Sequence, residues 1–418
     1  MTAVLGFDPA LLTAIAERTG TPVYVYSANL IRAQYHALHD ALQQEGVRHR
    51  ICYSVKANGN LAVLKVLKAL GAGADIVSAG ELKRALLAGF DPDSLVFSGV
   101  GKTGAELAEA IRAGVGYLNI ESASELDAVV AAAVHVGKRA SVGIRVNPDV
   151  AADTHPYTKT GERTAKFGVP FDEVVALARR IAAERALVLR GLAMHIGSQI
   201  TDIEPYSRGT ARLLELVTAI RASRIDTLDA LDVGGGLGVR YHNEKAPSPK
   251  AFAHAVAPKV HAAGLGLLCE PGRYLVANAG VLLTRVLYRK HSGGKDYVIV
   301  DAGMNDFVRP SHYNAHHEIT PLKDGARPEE LVNVVGPICE SGDFLALDRK
   351  LPAVVPGEFL AVLGTGAYGF AMSSTYNARP RPPEVLVEGD RYYVARQRET
   401  LDDLVRGEVL EPTTWYQA

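Results

Sequence analysis

Lys56 is the first residue in this chain whose position suggests chemistry. It ends the strand-like run "ICYSV" at 51–55 and precedes "ANGN", which is typical of a turn. Lysine is almost never fully buried, so an amine at the inner end of an apolar strand needs a partner or a function. A single lysine of this kind is usually solvated. A catalytic role for Lys56 therefore depends on which polar side chains lie at the ends of the other strands.

Three further segments place reactive side chains or glycines at the ends of apolar runs. They are "MHIGSQ" with His195, "DVGGGLG" at 232–238, and "EPGR" with Glu270 and Arg273. Taken singly, His195 is more often a core histidine, and the glycines can form a plain turn. No helix-forming segment follows the glycines, so they do not match a dinucleotide-binding fingerprint well.

Together, an amine, an imidazole, a glycine loop, a carboxylate and an arginine suit pyridoxal phosphate (PLP). The amine of Lys56 can form a Schiff base with the aldehyde, and glycine N–H groups can approach the phosphate. Glu270 suits the pyridine nitrogen, because a carboxylate keeps it protonated, whereas Arg273 there would weaken the electron sink. We expect partial desolvation to lower the pKa of Lys56 from about 10.4 and so ease attachment.

The elements that would position these residues alternate between strand and helix. A helix-like segment at 29–45 comes first, and the strand-like runs lie at 50–56, 74–78, 94–98, 116–120, 140–147, 189–195, 227–233 and 265–270. Eight strands linked by helices predict a (β/α)8 barrel of the TIM type over residues 28–278, with an open doubly wound sheet as the alternative. In such a barrel the strand ends share one mouth, which is where Lys56 would lie.

The pattern changes near residue 280. Strand-like runs then dominate, which predicts an α/β protein with a second, β-rich domain formed by residues 1–27 and 279–418 and including the N-terminal strand "TPVYVYS". Residues 149–169 interrupt the barrel without a strand or helix pattern, and we interpret them as a lid beside the mouth.

Bulk composition excludes some classes of function. Lys and Arg number 45 against 46 Asp and Glu, a net charge of −1, so we expect neither a nucleic acid nor an anionic membrane as the main partner. No apolar run is long enough to span a bilayer and no signal peptide is evident. Three cysteines form no disulfide framework, which predicts a reducing, cytoplasmic location.

Six motifs, "YSVKAN", "HIGSQ", "GGGLG", "EPGR", "CESGD" and "GAYG", occur in the order found in the PLP-dependent decarboxylases built on an alanine-racemase-like barrel. The resemblance covers residues 20 to 400 approximately. It implies PLP as cofactor and a homodimer with shared active sites. For cofactor binding it implies Lys56 as Schiff-base lysine, His195 stacked on the ring, Glu270 at the pyridine nitrogen, and contacts from Ser198, Gly235, Gly236, Pro271, Gly272, Arg273 and Tyr368.

The same resemblance implies how substrate is bound and protonated. Arg309 and Tyr313 match positions that bind a substrate carboxylate, and Arg273 and Tyr368 match further substrate contacts. Cys339 matches the proton donor and Glu340 a substrate-amine contact, both entering from the partner subunit. A thiol near neutral pKa is chemically suited to protonate a carbanion, although most such cysteines are structural.

The motifs are most similar to those of enzymes that convert meso-2,6-diaminopimelate to L-lysine and CO2, the last step of lysine biosynthesis. Diaminopimelate carries both an ammonium and a carboxylate at its far end, and Glu340 and Arg309 offer one partner for each. Ornithine, arginine and carboxynorspermidine remain alternative substrates. An amino-acid racemase, against which Glu270 argues, and a non-catalytic relative are the other classes considered.

A histidine-rich segment, "HYNAHHE" at 312–318, could suggest zinc. Adjacent histidines on a strand point to opposite sides, and no further ligand stands at a familiar spacing. We therefore expect no metal there, and interpret the segment as a loop or strand that leads into a subunit interface.

Overall fold

The computed structural model describes residues 6–150, 161, 166–323, 325, 327–412 and 414–415. The chain begins with α1 (Pro9–Thr19) and β1 (Val23–Ser27). It divides into two compact units. One comprises Tyr26–Gly280 and Gly364–Ala371, and the other comprises Met1–Val25, Val281–Leu363 and Met372–Ala418.

The first unit is an eight-stranded parallel barrel. Its strands are β2 (His49–Ser54), β3 (Gly73–Ile76), β4 (Leu95–Phe97), β5 (Tyr117–Ile120), β6 (Ala140–Asn147), then, after the short β7 (Val169–Pro170), β8 (Leu187–Ala193), β9 (Ala230–Asp232) and β10 (Gly266–Cys269). Each strand pairs with the next along the ring, β10 pairs with β2, and β7 pairs with β6 outside the ring. The predicted barrel is thus confirmed, and the open sheet is excluded by its closure.

Helices precede, connect and follow the strands of the ring. They are α2 (Ala28–Gln44), α3 (Leu61–Ala69), α4 (Ala79–Ala88), α5 (Gly104–Ala113), α6 (Ala123–Val136), α7 (Val174–Ala183), α8 (Glu204–Ala222), α9 (Pro249–Ala262) and α10 (Arg273–Val276). Local sequence sets their ends. In α5, for example, Thr103 and Glu106 form a capping box and Gly114 closes the last turn in the left-handed conformation.

The second unit is β-rich, as predicted. Its strands are β11 (Gly280–Ser292), β12 (Lys295–Val300), β13 (Ile319–Pro321), β14 (Glu329–Val335), β15 (Phe344–Pro352), β16 (Phe359–Leu363), β17 (Glu384–Glu388) and β18 (Arg391–Arg396). The N-terminal β1 lies between β11 and β17 in this sheet, which confirms its predicted membership. Two short helices, α11 (Arg309–Tyr313) and α12 (Leu401–Leu404), complete the described elements.

The division into units differs from the predicted boundaries by two residues at each end of the barrel and at one internal segment. Residues 364–371 were predicted to belong to the β-rich domain, but they pack with the barrel. The N–H of Tyr368 donates to the carbonyl of Ala57 (2.8 Å), and Nδ2 of Asn58 donates to the carbonyl of Gly366 (3.0 Å). These contacts bind the segment to the loop that carries Lys56.

Two further expectations concern a lid over the barrel mouth and the absence of a membrane-spanning segment. Most of the lid predicted at 149–169 lies outside the described residues. None of the helices in the described part of the chain combines the length and the hydropathy that a membrane span requires.

Candidate active site

Lys56 lies in a single 3-10 turn, Val55–Ala57, immediately after β2. Its amine donates to Oδ2 of Asp75 at 2.5 Å, and about a third of the side chain (34%) is exposed. Asp75 is fully buried on the neighbouring β3, where it is paired in register with Ser54. The hydroxyl of Ser54 also donates to Oδ2 of Asp75 (2.7 Å), so the same carboxylate oxygen accepts from both side chains.

The charge state of Lys56 differs from the expectation. Desolvation lowers the pKa of its ammonium, but the carboxylates of Asp75 and Glu270 outweigh that effect, and the pKa is raised. The amine is therefore charged and paired in the free protein. Sequence reasoning missed Asp75 because a single aspartate within "GADIV" has no visible partner until the pairing of β2 with β3 brings Ser54 and Lys56 beside it.

Glu270 follows β10 and is buried (5% exposed). Its N–H donates to the carbonyl of Gly234 (2.8 Å), and Oε2 lies 4.0 Å from Nδ1 of His195. Burial, then the negative charges of Asp232 and Asp75, raises the pKa of Glu270 well above its usual range. This carboxyl group therefore holds a proton more strongly than an exposed glutamate would.

Asp232, at the end of β9, is a second buried carboxyl group beside Glu270. Its Oδ1 accepts the N–H of Gly234 (2.8 Å). Burial raises the pKa of Asp232 to about 6, although the hydrogen bonds from Gly234 and Glu270 oppose the change. Two buried carboxyl groups in contact cannot both ionise cheaply, so together they retain a proton.

His195 follows β8 and is uncharged. Burial lowers the pKa of its imidazole well below the usual value, and the positive charges of Arg145 and Lys56 lower it further. The N–H of Gly235 donates to Nδ1 (3.2 Å), so this nitrogen carries no hydrogen. The ring is therefore neutral, with Nδ1 directed at the glycine loop.

The glycines at 234–236 are required by close packing between strand ends. A Cβ on Gly235 would lie 2.1 Å from the carbonyl oxygen of Glu270, and one on Gly236 would lie 2.1 Å from that of Gly197. Gly236 also has φ +93°, which favours glycine. The predicted phosphate loop therefore has a structural reason for its glycines besides any ligand.

Arg273 is the first residue of α10 and directly follows Pro271 and Gly272. Its guanidinium contacts three other side chains of the barrel unit. One Nη donates to the hydroxyl of Ser198 (3.0 Å) and the other to the hydroxyl of Tyr241 (2.8 Å). The ring of Tyr368 lies under the guanidinium, with 4.8 Å from Cζ to the ring centroid. Tyr368 has φ +56° and is bonded to Ala57, so it also adjoins the Lys56 turn.

The chemistry of this donor set fits PLP. The barrel unit supplies an amine, a buried carboxyl group with a raised pKa, a neutral imidazole, and an arginine beside a serine hydroxyl and glycine N–H groups. All of these follow strands of the ring or are bonded to loops that do. The residues that could hold the aldehyde, ring nitrogen, ring face and phosphate are therefore all present in one unit.

Two predicted substrate residues lie on α11 in the second unit. Arg309 is buried (6% exposed), and its Nη1 donates to Nε2 of His317 at 3.1 Å. Tyr313 is half-buried at the other end of the helix, where its ring meets the ring of His312 edge-on.

Cys339 and Glu340 lie in an exposed loop between β14 and β15. The N–H of Cys339 donates to Oδ1 of Asn377 (2.8 Å), and the hydroxyl of Tyr376 is bonded to the carboxylate of Glu340. The Asp343 carboxylate closes the loop by accepting the N–H groups of Ile338 and Met304, both at 2.6 Å. The other two cysteines, Cys52 and Cys269, are buried.

Residues 28–277 match the family model described as pyridoxal-dependent decarboxylase, pyridoxal binding domain. A diaminopimelate decarboxylase of Pseudomonas aeruginosa is 50% identical over 98% of both chains. Among solved structures, the Helicobacter pylori diaminopimelate decarboxylase complexed with L-lysine is 40% identical, covers 94% of this chain and 98% of its own, and has a TM-score of 0.91.

A third relative has a lower sequence identity and the same fold. The M. jannaschii diaminopimelate decarboxylase, in co-complex with L-lysine, is 36% identical, covers 97% of this chain and 95% of its own, and has a TM-score of 0.91. These relatives match both units and not the barrel alone. The chain therefore belongs to the diaminopimelate decarboxylase family of pyridoxal-dependent decarboxylases.

Proposed function

We propose that this protein decarboxylates meso-2,6-diaminopimelate to L-lysine and CO2. The observation that carries the proposal is 50% identity, over nearly the whole chain, to a protein named for that reaction, combined with the amine and carboxyl groups that PLP chemistry needs. The two relatives complexed with L-lysine support it, because L-lysine is the product of that reaction.

Bound PLP would supply an electron sink for the electron pair that remains at Cα when CO2 leaves. Lys56 is the amine to which the cofactor is attached. Glu270, whose pKa is raised, would share a proton with the pyridine nitrogen and so keep that sink effective. Neutral His195 would lie against the ring face, while Arg273, Ser198 and the loop at Gly235 and Gly236 would hold the phosphate.

Protonation of Cα is assigned to Cys339. Its thiol is exposed, and its loop is fixed through Asn377 and Asp343, so a proton donor is held on an ordered segment. In this proposal the loop enters the active site of the partner subunit in a homodimer. The carboxylate of the neighbouring Glu340 binds the far ammonium of the substrate.

Selectivity for diaminopimelate is assigned to groups of opposite charge at the far end of the substrate. Arg309 and Tyr313 bind the carboxylate that is retained in the product, and Glu340 binds the ammonium beside it. Ornithine and arginine lack that carboxylate. A buried guanidinium that receives no anion is costly, so the site favours the substrate that supplies one.

A product assay tests this proposal. Purified protein with PLP and meso-diaminopimelate is expected to form one L-lysine for each CO2. Lys56→Ala is expected to lose both this turnover and the visible absorbance of the attached cofactor. Lys65→Ala, an exposed lysine on the next helix, is the matched control and keeps both.

Two results would overturn the proposal. Interconversion of diaminopimelate stereoisomers without CO2 would indicate a racemase. A protein that stays colourless with added PLP and releases no CO2 would indicate a non-catalytic relative.

A further inference from the structure

A buried side chain, His317, is a hydrogen-bond partner of the Arg309 guanidinium. Nη1 of Arg309 lies 3.1 Å from Nε2 of His317, whose side chain is fully buried. The other ring nitrogen, Nδ1, lies 2.8 Å from the carbonyl oxygen of Leu363 at the end of β16. The imidazole therefore bridges a strand end and the arginine assigned to the substrate.

The chemistry of the two partners fixes the state of this ring. A carbonyl oxygen can only accept a hydrogen bond, so Nδ1 of His317 must carry the hydrogen. A guanidinium can only donate, so Nε2 must present its lone pair to Arg309. Only the neutral Nδ1–H tautomer satisfies both contacts. A doubly protonated ring would set one N–H against another and break the contact to Arg309.

Packing holds the ring in that orientation. The ring of Phe307 meets the imidazole edge-on, with 4.6 Å between centroids. Nη1 of Arg349 donates to the carbonyl of His317 (2.8 Å), which fixes the backbone from the other side. Because the acceptor presented to Arg309 is uncharged, the contact orients the guanidinium without opposing its positive charge.

We propose that His317 is a positioning residue that aims Arg309 at the substrate carboxylate. The proposal rests on the function proposed above, in which Arg309 binds that carboxylate. It gives a role to the histidine-rich segment. His317 aligns the arginine, while its neighbour His316 is bonded to Arg349 and Glu318.

The test uses two ligands that differ by one carboxylate, L-lysine and cadaverine. Their dissociation constants are measured by calorimetry on the PLP-loaded enzyme. Wild type is expected to bind L-lysine more tightly. His317→Asn keeps an amide donor for the Leu363 carbonyl but no longer reaches Arg309, and is expected to reduce that preference about tenfold with cadaverine unchanged.

Three companion variants separate positioning from general damage. His317→Gln, whose amide oxygen reaches the place of Nε2, is expected to restore most of the preference. His316→Asn is the matched control and keeps the wild-type preference. In an Arg309→Met background, His317→Asn is expected to have no further effect, because the two residues act through one contact. If His317→Asn does not fold, His317→Leu, which packs against Phe307, takes its place.

The outcomes are distinguishable. An unchanged preference in folded His317→Asn, or an equal further loss in the Arg309→Met background, overturns the positioning role and leaves the proposed function intact. A wild type without preference for L-lysine, or an Arg309→Met variant that keeps it, overturns the assignment of Arg309 to the substrate. That result removes the basis of the present proposal as well.

Discussion

At the scale of single residues, the ion pair between Lys56 and Asp75 bears on the proposed attachment of the cofactor to Lys56. The amine attacks an aldehyde only in its neutral form, and Asp75 stabilises the charged form. The carboxylate thus opposes attachment in the free protein while it holds the amine in place. Asp75 and Glu270 together explain why the ammonium of Lys56 stays charged although the side chain is only about a third exposed.

Replacing Asp75 with asparagine is expected to lower the pKa of Lys56, because its largest stabilising charge is lost while the burial remains. More of the amine is then neutral at a given pH. The pH at which PLP attaches to apoprotein at half its maximal rate should move downward, as stopped-flow absorbance across pH would measure. Asp127→Asn, an exposed partner of Arg180, is the control. An unchanged or higher midpoint in Asp75→Asn would contradict the assigned role of this carboxylate.

At the scale of elements, the loop that follows β9 is packed between neighbouring strand ends. It has no room for side chains at Gly235 and Gly236. Gly235 lies so close to the backbone of Glu270 that any side chain at position 235 would displace the Glu270 backbone. The same short segment supplies N–H groups to Asp232 and His195. A change in this loop therefore disturbs the Glu270 carboxyl group and the His195 imidazole, the two groups assigned to the cofactor ring in the proposed function.

Gly235→Ala is expected to destabilise the protein by about 1–3 kcal/mol, since its Cβ would meet the Glu270 carbonyl at 2.1 Å. It is also expected to weaken PLP binding. Gly101→Ala provides the comparison, because a Cβ there meets nothing within 4 Å and the backbone is not left-handed; it should change stability by less than about 0.5 kcal/mol. Urea midpoints and PLP titrations measure both. Equal midpoints would show that the strand ends can separate.

Element positions were predictable to within about three residues in the barrel, because each strand is a short apolar run buried on both faces. The features that could not be predicted depend on contacts between segments that are far apart in the sequence. Asp75 gains its meaning from the register of β3 on β2, and residues 364–371 join the barrel through bonds to Ala57 and Asn58. His317 was expected in a loop or strand leading into a subunit interface, and its contacts to Arg309 and to the Leu363 carbonyl could not be foreseen from the sequence.

At the scale of the whole molecule, the proposal divides the catalytic groups between two subunits. Lys56 belongs to the barrel unit, and Cys339 lies on an exposed loop of the other unit. If Cys339 serves the partner's active site, each site of a homodimer draws on both chains. The loop's exposure in a single chain is what such a role requires.

Mixing Lys56→Ala with Cys339→Ala tests this division. Each variant alone is expected to be nearly inactive in lysine formation, and Cys339→Ala should still bind PLP normally. A hybrid dimer contains one site with both native residues, so an equal mixture that exchanges subunits freely should recover about one quarter of wild-type activity. Mass spectrometry of intact dimers checks the exchange. If hybrids form and activity stays at the level of the variants, each site is built from one chain.

The selectivity of the wild-type enzyme tests the central claim most directly. The measurement is the ratio of kcat/KM for meso-diaminopimelate to that for L-ornithine, followed as CO2 release by one preparation with PLP. A site that pairs a buried arginine with the distal carboxylate predicts a ratio of at least about a hundredfold in favour of diaminopimelate. A ratio near one, or a preference for ornithine, would contradict the account.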